Sequence, residues 1–399
     1  MTPLPGRPRR LRAAAALAIA LAGAVLTGCS APAPAPAGQA QDCTPAPDSL
    51  AIVVAVHADA APGIPAEAGC LIEAALEHNA PISIVAEDGA PYSVQTRRTY
   101  GITPGSDTYD LDMDNARAAL IKAVSTAAAR TDGDDTLAAL NLAAQLTAGA
   151  KNPAIIVDSP GLPDTTPLDL TDPALAAAAP ADVTATLAAH HYIPAMTGTR
   201  ILWAGLGAAA GKQAPLPAPQ AANYRAIWES ILAKAGATAQ IVPGSASGTT
   251  APNADGHTVH PVPPIQTHID FPADGGTAVY PDTSPLGFQP GTTDLRDPAG
   301  AQSTAAALAA WLAADPHRTL QITGTTADDG STQYQHDLAQ QRAQAIAALI
   351  AGHGIDPARI TATGAGHDFP GYTPDHNPDG TLDPAKAATN RTVRITLNP

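Results

Sequence analysis

The stretch GTTADDGSTQYQHDLAQQRAQAIAALI, residues 324–350, decides the fold of the C-terminal part of this chain. The segment before it, residues 319–324, alternates apolar and polar side chains and predicts a strand. A loop with Asp328, Asp329 and Gly330 follows, and then an alanine-rich helical pattern that carries Arg342 on its buried side. The stretch therefore predicts a strand, a loop and a helix in this order.

The neighbouring segments extend this unit into a domain. Asp297-Pro298 gives the N-cap and first residue of a helix predicted over 297–314. Two further strands are predicted over 359–364 and 391–397, the second because its apolar and polar residues alternate. The C-terminal part, residues 265–399, is thus predicted to be an α+β domain of βαβαβ order with a mixed sheet.

This order of elements and its residues resemble the OmpA-like peptidoglycan-binding domain over roughly residues 282–399. The resemblance implies non-covalent capture of the diaminopimelate residue of peptidoglycan, which carries carboxylate and ammonium groups. The residues that carry the resemblance are the DPxRxLxITG pattern of residues 315–324, Gly330, Tyr334, Leu338, Arg342-Ala343, GIDPARI at 354–360, Asn390, Arg391 and Val393.

The resemblance assigns the ligand carboxylate to Arg342, whose planar fork suits bidentate binding. The family's aspartate is replaced here by Ala327, its asparagine by Gln335 and its serine by Ala339. Either a neighbouring aspartate supplies the missing carboxylate, or the module has kept its fold and lost this ligand. The predicted binding set is Arg342, Asp328, Asp329, Thr326, Gln335 and Arg391.

The N-terminal end predicts export. A basic segment precedes an apolar run of 13 residues, 13–25, which is short for a membrane span. Leu26-Thr27-Gly28-Cys29 resembles a lipobox, which implies cleavage after residue 28 and lipidation of Cys29. Residues 1–28 are therefore predicted to be a lipoprotein signal peptide. Residues 29–48, rich in Ala-Pro, are predicted to be an extended tether from the membrane.

Residues 49–244 alternate strand-like and helix-like segments, which predicts a doubly wound, mostly parallel sheet. The arrangement resembles a von Willebrand factor A-type domain. That family's metal loop contains hydroxyl and acidic ligands, whereas residues 57–61 read HADAA, so no metal is predicted even though acids recur at 132–135. The resemblance then favours a surface for a protein partner.

Three other patterns suggest alternative chemistry. Asp158-Ser159 ends a predicted strand, but Val157 occupies a position where a nucleophile elbow needs glycine, so a hydrolase is only a remote alternative. Three histidines lie in or just after the predicted linker 245–264, and we expect them to be solvated. Residues 375–383 resemble part of a calcium loop, but Lys386 stands at the position of the bidentate glutamate. The three histidines are His257, His260 and His268.

Charge and amino-acid composition restrict the possible functions further. The net charge of −15 argues against nucleic acid as a partner. Besides Cys29 only Cys43 and Cys70 remain, and in an exported chain they are predicted to form a disulfide. Alanine and proline richness suggests an actinobacterial type of genome. The sequence thus predicts a non-enzymatic, lipid-anchored envelope protein without cofactor that associates with peptidoglycan, or alternatively an interaction scaffold.

Overall fold

The computed structural model describes residues 43–57, 62–209, 211–243, 256–265, 271 and 274–399. The predicted signal peptide, Cys29 and the tether as far as residue 42 lie outside this range, as do residues 58–61 and His268. The described residues belong to one compact unit, Asp42–Pro399. None of the helices in the described ranges is both long enough and apolar enough to span a bilayer.

Residues 43–243 form an α/β lobe. Its strands are β1 (Ser49–Ala55), β2 (Ile82–Glu87), β3 (Tyr92–Arg98), β4 (Pro153–Asp158), β5 (Asp164–Thr165), β6 (Leu168–Asp169), β7 (Arg200–Ala204) and β8 (Thr238–Val242). Its helices are α1 (Gly69–Glu77), α2 (Tyr109–Ser125), α3 (Thr136–Thr147), α4 (Pro173–Ala176), α5 (Pro180–Ala189) and α6 (Ala218–Ala235), with a 3-10 turn at Ala66–Ala68.

The main sheet of this lobe has the order β3-β2-β1-β4-β7-β8. Five strands run parallel, and β3 pairs antiparallel with β2 at one edge. Every residue of β1 is buried, because helices cover both faces of the sheet. The predicted doubly wound, mostly parallel fold is confirmed.

Residues 274–399 form the C-terminal lobe. Its strands are β9 (Gly276–Pro281), β10 (Thr319–Thr325), β11 (Ile360–Gly366) and β12 (Thr392–Asn398). Its helices are α7 (Pro298–Ala313), α8 (Thr332–Ala351) and α9 (Pro384–Asn390), with a 3-10 turn at Pro357–Arg359. The sheet order is β11-β10-β12-β9, with β10 and β11 parallel and β12 antiparallel to both neighbours. The predicted mixed sheet is confirmed.

Three short helices differ from the sequence expectation. The sequence predicts a long loop where α9 lies, and it gives no bounds for helices where α4 and α5 lie. Asp383 accepts hydrogen bonds from the backbone of Ala385 and Lys386, both at 3.1 Å, and so caps α9 as Asp297 caps α7. Helix α9 also packs against the α/β lobe, because its Ala388 belongs to the hydrophobic core of that lobe. Tertiary contact therefore stabilises helices too short to show a periodic pattern.

The segment 256–265, within the predicted linker and one residue beyond it, is bound to the α/β lobe. The backbone N–H of Thr258 donates to Asp132 at 2.7 Å, and that of Val262 donates to Gln213 at 2.8 Å. His260 donates from its backbone to Asp164 at 2.7 Å, with its ring Nδ1 2.9 Å from the same oxygen. His260 therefore has a fixed carboxylate neighbour, although its side chain remains 78% exposed.

The two lobes meet through specific polar contacts. Arg296 donates to the Asn223 side chain at 2.8 Å, and Thr186 donates to the Leu382 carbonyl at 3.0 Å. A third contact joins Arg391 of the C-terminal lobe to Asp182 of α5, with Nη1 and Oδ2 2.6 Å apart. Both side chains are mostly buried, at 12% and 17% exposure. The lobes therefore share a partly desolvated ion pair.

The predicted disulfide is confirmed between Cys43 and Cys70, whose Cα atoms are 6.1 Å apart. The bond ties the segment before β1 to α1 and closes a loop with a sequence separation of 27. Replacing both cysteines by serine is expected to lower the free energy of unfolding by about 3.5 kcal/mol, because the unfolded chain regains loop entropy. Urea unfolding measures this loss. Wild type treated with a reductant is the control and should match the double variant; an unchanged midpoint for both would contradict the prediction.

Candidate functional site

The corner formed by β10, its following loop and α8 is held by backbone contacts. Ser331 caps α8 by accepting a hydrogen bond from the Tyr334 N–H at 3.2 Å. Thr326, just after β10, donates its backbone N–H to the Gly366 carbonyl at 2.9 Å. Gly324 lets the helix backbone approach, because a Cβ there would lie 2.2 Å from the Ala339 carbonyl oxygen. These contacts fix the side chains of α8 against the end of β10.

Arg342 of α8 is a buried cation, only 3% exposed. Its Nε donates to the Thr292 carbonyl at 2.9 Å and its Nη2 to the Gln289 carbonyl at 3.1 Å. Its guanidinium carbon lies 5.1 Å from the centre of the Phe288 ring. Burial lowers the pKa of Arg342, Asp282 opposes that change, and Arg391 adds to it. Because arginine starts from a very high pKa, the group remains charged at neutral pH.

A cavity of about 250 Å³ lies in front of Arg342. Its wall contains four charged side chains, two arginines and two aspartates, and one of the aspartates belongs to α5 of the other lobe. The lining residues are Ala179, Ala181, Asp182, Pro290, Gly291, Thr326, Ala327, Asp329, Tyr334, Gln335, Leu338, Arg342 and Arg391. Residues from both lobes therefore form one concave site.

The two aspartates proposed to replace the family's carboxylate point in different directions. Asp328 accepts a hydrogen bond from Gln335 at 3.0 Å and lies 3.8 Å from the His376 ring nitrogen. It does not line the cavity. Asp329 does line it, with 66% of its side chain exposed and Oδ2 3.9 Å from Arg391 Nη2. Of the described carboxylate oxygens, none lies within 4.0 Å of the Arg342 guanidinium.

The remaining predicted site residues have distinct environments. Gln335 is 1% exposed and binds Asp328, Gly330 and His367, so it anchors the loop. Thr326 is 5% exposed and lines the cavity. Its buried Oγ1 has no hydrogen-bond partner in the described part of the chain. A ligand atom in the cavity is the natural partner for such a hydroxyl.

The acidic loop 375–383 uses its carboxylates within the protein. Asp375 is fully buried and accepts hydrogen bonds from Tyr372, Asn390 and the backbone N–H of Asp328. Asp379 accepts two from Thr381. Asp328, Asp375 and His376 bring ligand-type atoms within 4.8 Å of one another. The hydrogen bonds to Asp375 account for its burial without an ion.

The carboxyl edge of the α/β sheet holds a buried polar cluster. His57 follows β1, and its Nε2 lies 3.5 Å from Asp134 Oδ2, with both side chains 2% exposed. Glu87, at the end of β2, accepts hydrogen bonds from Ser159 at 2.6 Å and Thr136 at 2.8 Å. Burial raises the pKa of Glu87, and the charge of Asp134 raises it further. For Asp134 burial also acts to raise the pKa, but His57 and the neighbouring hydrogen bonds outweigh it and the pKa is lowered.

This cluster occupies the edge where the von Willebrand resemblance places a metal site. Asp135 is used as the N-cap of α3, accepting from Ala138 at 2.8 Å. Ser159 is 2% exposed and donates a hydrogen bond to Glu87 at 2.6 Å. The hydrogen bonds to Glu87 Oε1 and the His57–Asp134 pair connect these polar groups, while Glu87 Oε2 has no hydrogen-bond partner among the described residues.

Asp158, beside this cluster, makes the stability of the lobe depend on pH. Burial raises its pKa to about 7, the Gly63 N–H opposes the change, and Glu67 adds to it. The folded state then binds more protons than the unfolded state between about pH 4 and 7, so stability falls as pH rises through this window. Asp158→Asn is expected to remove about 2.6 kcal/mol of that fall between pH 5 and pH 8. Urea unfolding at pH 5 and pH 8 measures it; parallel pH profiles for the variant and wild type would refute the assignment, since Glu87 contributes equally to both.

Comparison with known proteins places the C-terminal lobe in a family. Residues 287–379 match the model of the OmpA family, so this lobe contains an OmpA-family domain. The match covers the loop that Arg342 binds, β10, α8 and the first part of the acidic loop, residues 375–379.

Several solved structures are similar over a part of the chain. The peptidoglycan-associated lipoprotein of Burkholderia pseudomallei is 25% identical over 24% of this chain and 76% of that chain, with a TM-score of 0.21. A putative MotB-like protein of Desulfovibrio vulgaris is 26% identical over 33% and 76%, with a TM-score of 0.26. The cell wall anchor of the T6SS of Pseudomonas aeruginosa is 24% identical over 33% and 85%, with a TM-score of 0.25.

One curated protein is similar over a shorter segment. The photosystem I P700 chlorophyll a apoprotein A2 of Gloeobacter violaceus is 35% identical over 78 residues, which is 20% of this chain. The chain spans 9% of the length of that protein.

Asp182 is the site residue that sequence reasoning missed. Its helix begins with Pro180 and carries the aspartate in its first turn, a combination typical of helix starts. That signal predicts α5 but not its position, because Asp182 and Arg391 are far apart in sequence and meet only when the lobes pack.

Proposed function

We propose that this chain is an exported, lipid-anchored envelope protein whose C-terminal lobe holds peptidoglycan non-covalently. The observation that carries the proposal is the cavity of about 250 Å³ in the OmpA-family domain, lined by the buried Arg342 and by Arg391. Two guanidinium groups at a half-closed surface suit a carboxylate ligand. The resemblance implies diaminopimelate as the peptidoglycan group bound, and the protein acts without catalysis.

The anchor rests on the sequence before the described residues. The Leu26-Thr27-Gly28-Cys29 segment supports cleavage before Cys29 and its lipidation. A diacylated cysteine binds a bilayer firmly, since each buried methylene contributes about 0.8 kcal/mol. Incorporation of a labelled fatty acid in the producing cell is expected for the wild type and is expected to vanish in Cys29→Ser. Persistent labelling of the variant would refute the anchor.

Arg391 is a second test residue for wall binding, and its substitution leaves the hydrogen bonds of Arg342 in place. Removing Arg342 would also free the carbonyls of residues 289 and 292, which confounds binding with folding. Arg391→Gln removes one cavity charge and also breaks the ion pair with Asp182, so its urea unfolding is measured beside binding. Arg225→Gln is the control for loss of an arginine outside the cavity, because Arg225 is a half-exposed arginine on α6 paired with Glu229. Circular dichroism checks that both variants are folded.

The chain purified in detergent is sedimented with diaminopimelate-type peptidoglycan. Wild type and Arg225→Gln are expected in the pellet, free meso-diaminopimelate is expected to release them, and Arg391→Gln is expected to bind at least tenfold more weakly. Failure of the wild type to sediment, or sedimentation unaffected by diaminopimelate and by Arg391→Gln, would overturn the proposal.

A non-catalytic interaction scaffold is the second candidate. Two observations favour it: Ala327 stands in place of the family's aspartate, and two nitrogens of Arg342 already donate to backbone carbonyls. In that case the α/β lobe binds a protein partner and the C-terminal lobe serves as a spacer. Absence of wall binding by the wild type is the result that would favour this function.

A further inference from the structure

The cavity in front of Arg342 has an alanine where the family has an aspartate, but it contains another, mostly buried carboxylate. Asp182 lines the cavity from the α/β lobe, and Ala327, which has only a methyl group, lines the same cavity from the C-terminal lobe. Its carboxylate is 17% exposed and lies 2.6 Å from Arg391. An acidic group of this kind is the partner that a ligand ammonium needs.

The charges around the cavity are balanced. Arg342 and Arg391 contribute two positive charges, and Asp182 and Asp329 contribute two negative charges. A ligand with a carboxylate alone would unbalance this set, whereas a ligand with both a carboxylate and an ammonium preserves the balance. The arrangement therefore favours a zwitterion over a simple anion.

Two polar features of the wall add to the arginines as partners for a ligand carboxylate. The buried Thr326 hydroxyl has no hydrogen-bond partner among the described residues. Helix α5, ten residues long, begins at the cavity with Ala179 as an N-cap that has no side-chain hydrogen bond. The uncapped start of a helix carries partial positive charge and favours a negative group. The volume of about 250 Å³ suits the end of an amino acid rather than a larger ligand.

We propose that this cavity is a site shared by the two lobes for the zwitterionic end of an amino acid, in which Asp182 of the α/β lobe supplies the carboxylate that Ala327 does not. The inference rests on the proposed function and names the residue that recognises the ammonium group. Ligand binding then requires both lobes in their packed arrangement, because the cations and the anion come from different lobes.

The test compares two soluble probes by isothermal titration calorimetry on the full chain. The first is meso-diaminopimelate and the second is pimelate, the same seven-carbon dicarboxylate without ammonium groups. Wild type is expected to bind diaminopimelate at least tenfold more tightly than pimelate. Asp182→Asn is expected to weaken diaminopimelate binding 10- to 100-fold and leave pimelate within threefold, which removes the preference.

Three further variants separate recognition from folding. Asp182→Glu retains the charge and is expected to keep most of the preference. Ala327→Asp in the Asp182→Asn background returns a carboxylate to the family position and is expected to restore it. Glu229→Gln is the control, because Glu229 is a half-exposed carboxylate on α6 that does not line the cavity, and it is expected to change the preference less than threefold.

Each contrary result has a separate meaning. A preference unchanged in Asp182→Asn overturns this inference and leaves the proposed wall binding intact. Tighter binding of both probes by Asp182→Asn also overturns it, because Asp182 would then compete with the ligand. Wild type that binds neither probe overturns both this inference and the proposed function.

Discussion

Gly364→Ala is expected to destabilise the C-terminal lobe by about 3 kcal/mol or more. Gly364 lies in β11 where α8 crosses the sheet, and a Cβ there would lie 2.2 Å from the Gln340 backbone nitrogen and 2.7 Å from the His336 carbonyl oxygen. Both obstacles are helix backbone, which cannot move aside like a flexible side chain. The helix must therefore shift from the sheet and give up core contacts.

The same shift has a consequence for function. Helix α8 carries Arg342, whose hydrogen bonds to the carbonyls of residues 289 and 292 depend on the position of the helix. We therefore expect Gly364→Ala to weaken retention on peptidoglycan as well as stability. Urea unfolding followed by circular dichroism measures the first effect, and sedimentation with peptidoglycan measures the second.

Gly69→Ala is the control for this substitution. Gly69 begins α1 in helical conformation, with φ −49° and ψ −51°, and a Cβ there would meet no atom within 4 Å. Alanine is expected to leave stability unchanged or raise it by up to about 1 kcal/mol, because it favours the helix more than glycine does. A loss below about 1 kcal/mol in Gly364→Ala would show that α8 adapts to the added methyl group.

The main elements of the C-terminal lobe follow from local sequence. The alternating pattern before Gly324 predicts β10, and Asp297-Pro298 predicts the start of α7 at the residue where the structure has it. These signals work because caps and periodic patterns act within one turn or one strand. Asp383-Pro384 is the same signal in a short segment, yet α9 was missed because its seven residues contain too little pattern.

The candidate site was only partly predictable. Arg342, Thr326 and Arg391 follow from the family pattern, and all three line the cavity. The direction of Asp328 does not follow, because the hydrogen bond from Gln335 and the nearby His376 hold it away from the cavity. The fourth charged residue of the site, Asp182, belongs to the α/β lobe. No local sequence pattern predicts that the two lobes pack against each other.

The linker shows the same limit. Proline and small polar residues at 245–264 are typical of an extended linker and predict such a connection. The described residues 256–265 are nevertheless bound to the α/β lobe through Asp132, Asp164, Gln213 and Gln220. A segment without its own core can be fixed by hydrogen bonds to a folded neighbour, and such pairing depends on tertiary structure rather than on composition.

His57→Ala is expected to cost about 3–5 kcal/mol at neutral pH, because it leaves a buried charge without its counter-charge. Asp134 is 1% exposed, and its Oδ2 lies 3.5 Å from the His57 ring. Its pKa is lowered only because His57 and neighbouring hydrogen bonds outweigh the effect of burial. Glu87 beside it has a raised pKa and provides a proton rather than a compensating charge.

The pH dependence of this loss identifies its cause. In the wild type the lowered pKa of Asp134 contributes stability above the unfolded pKa, and that contribution disappears as pH falls through the folded pKa. Without His57 burial dominates and the pKa of Asp134 rises, so the variant regains stability by taking up a proton in acid. The difference in unfolding free energy between wild type and His57→Ala should therefore be smaller at pH 5 than at pH 8. His190→Ala, at a half-exposed histidine 3.9 Å from Asp379, should leave stability unchanged at both pH values. Equal losses for His57→Ala at pH 5 and pH 8 would contradict this prediction. The histidine would then stabilise the cluster by packing rather than by its charge.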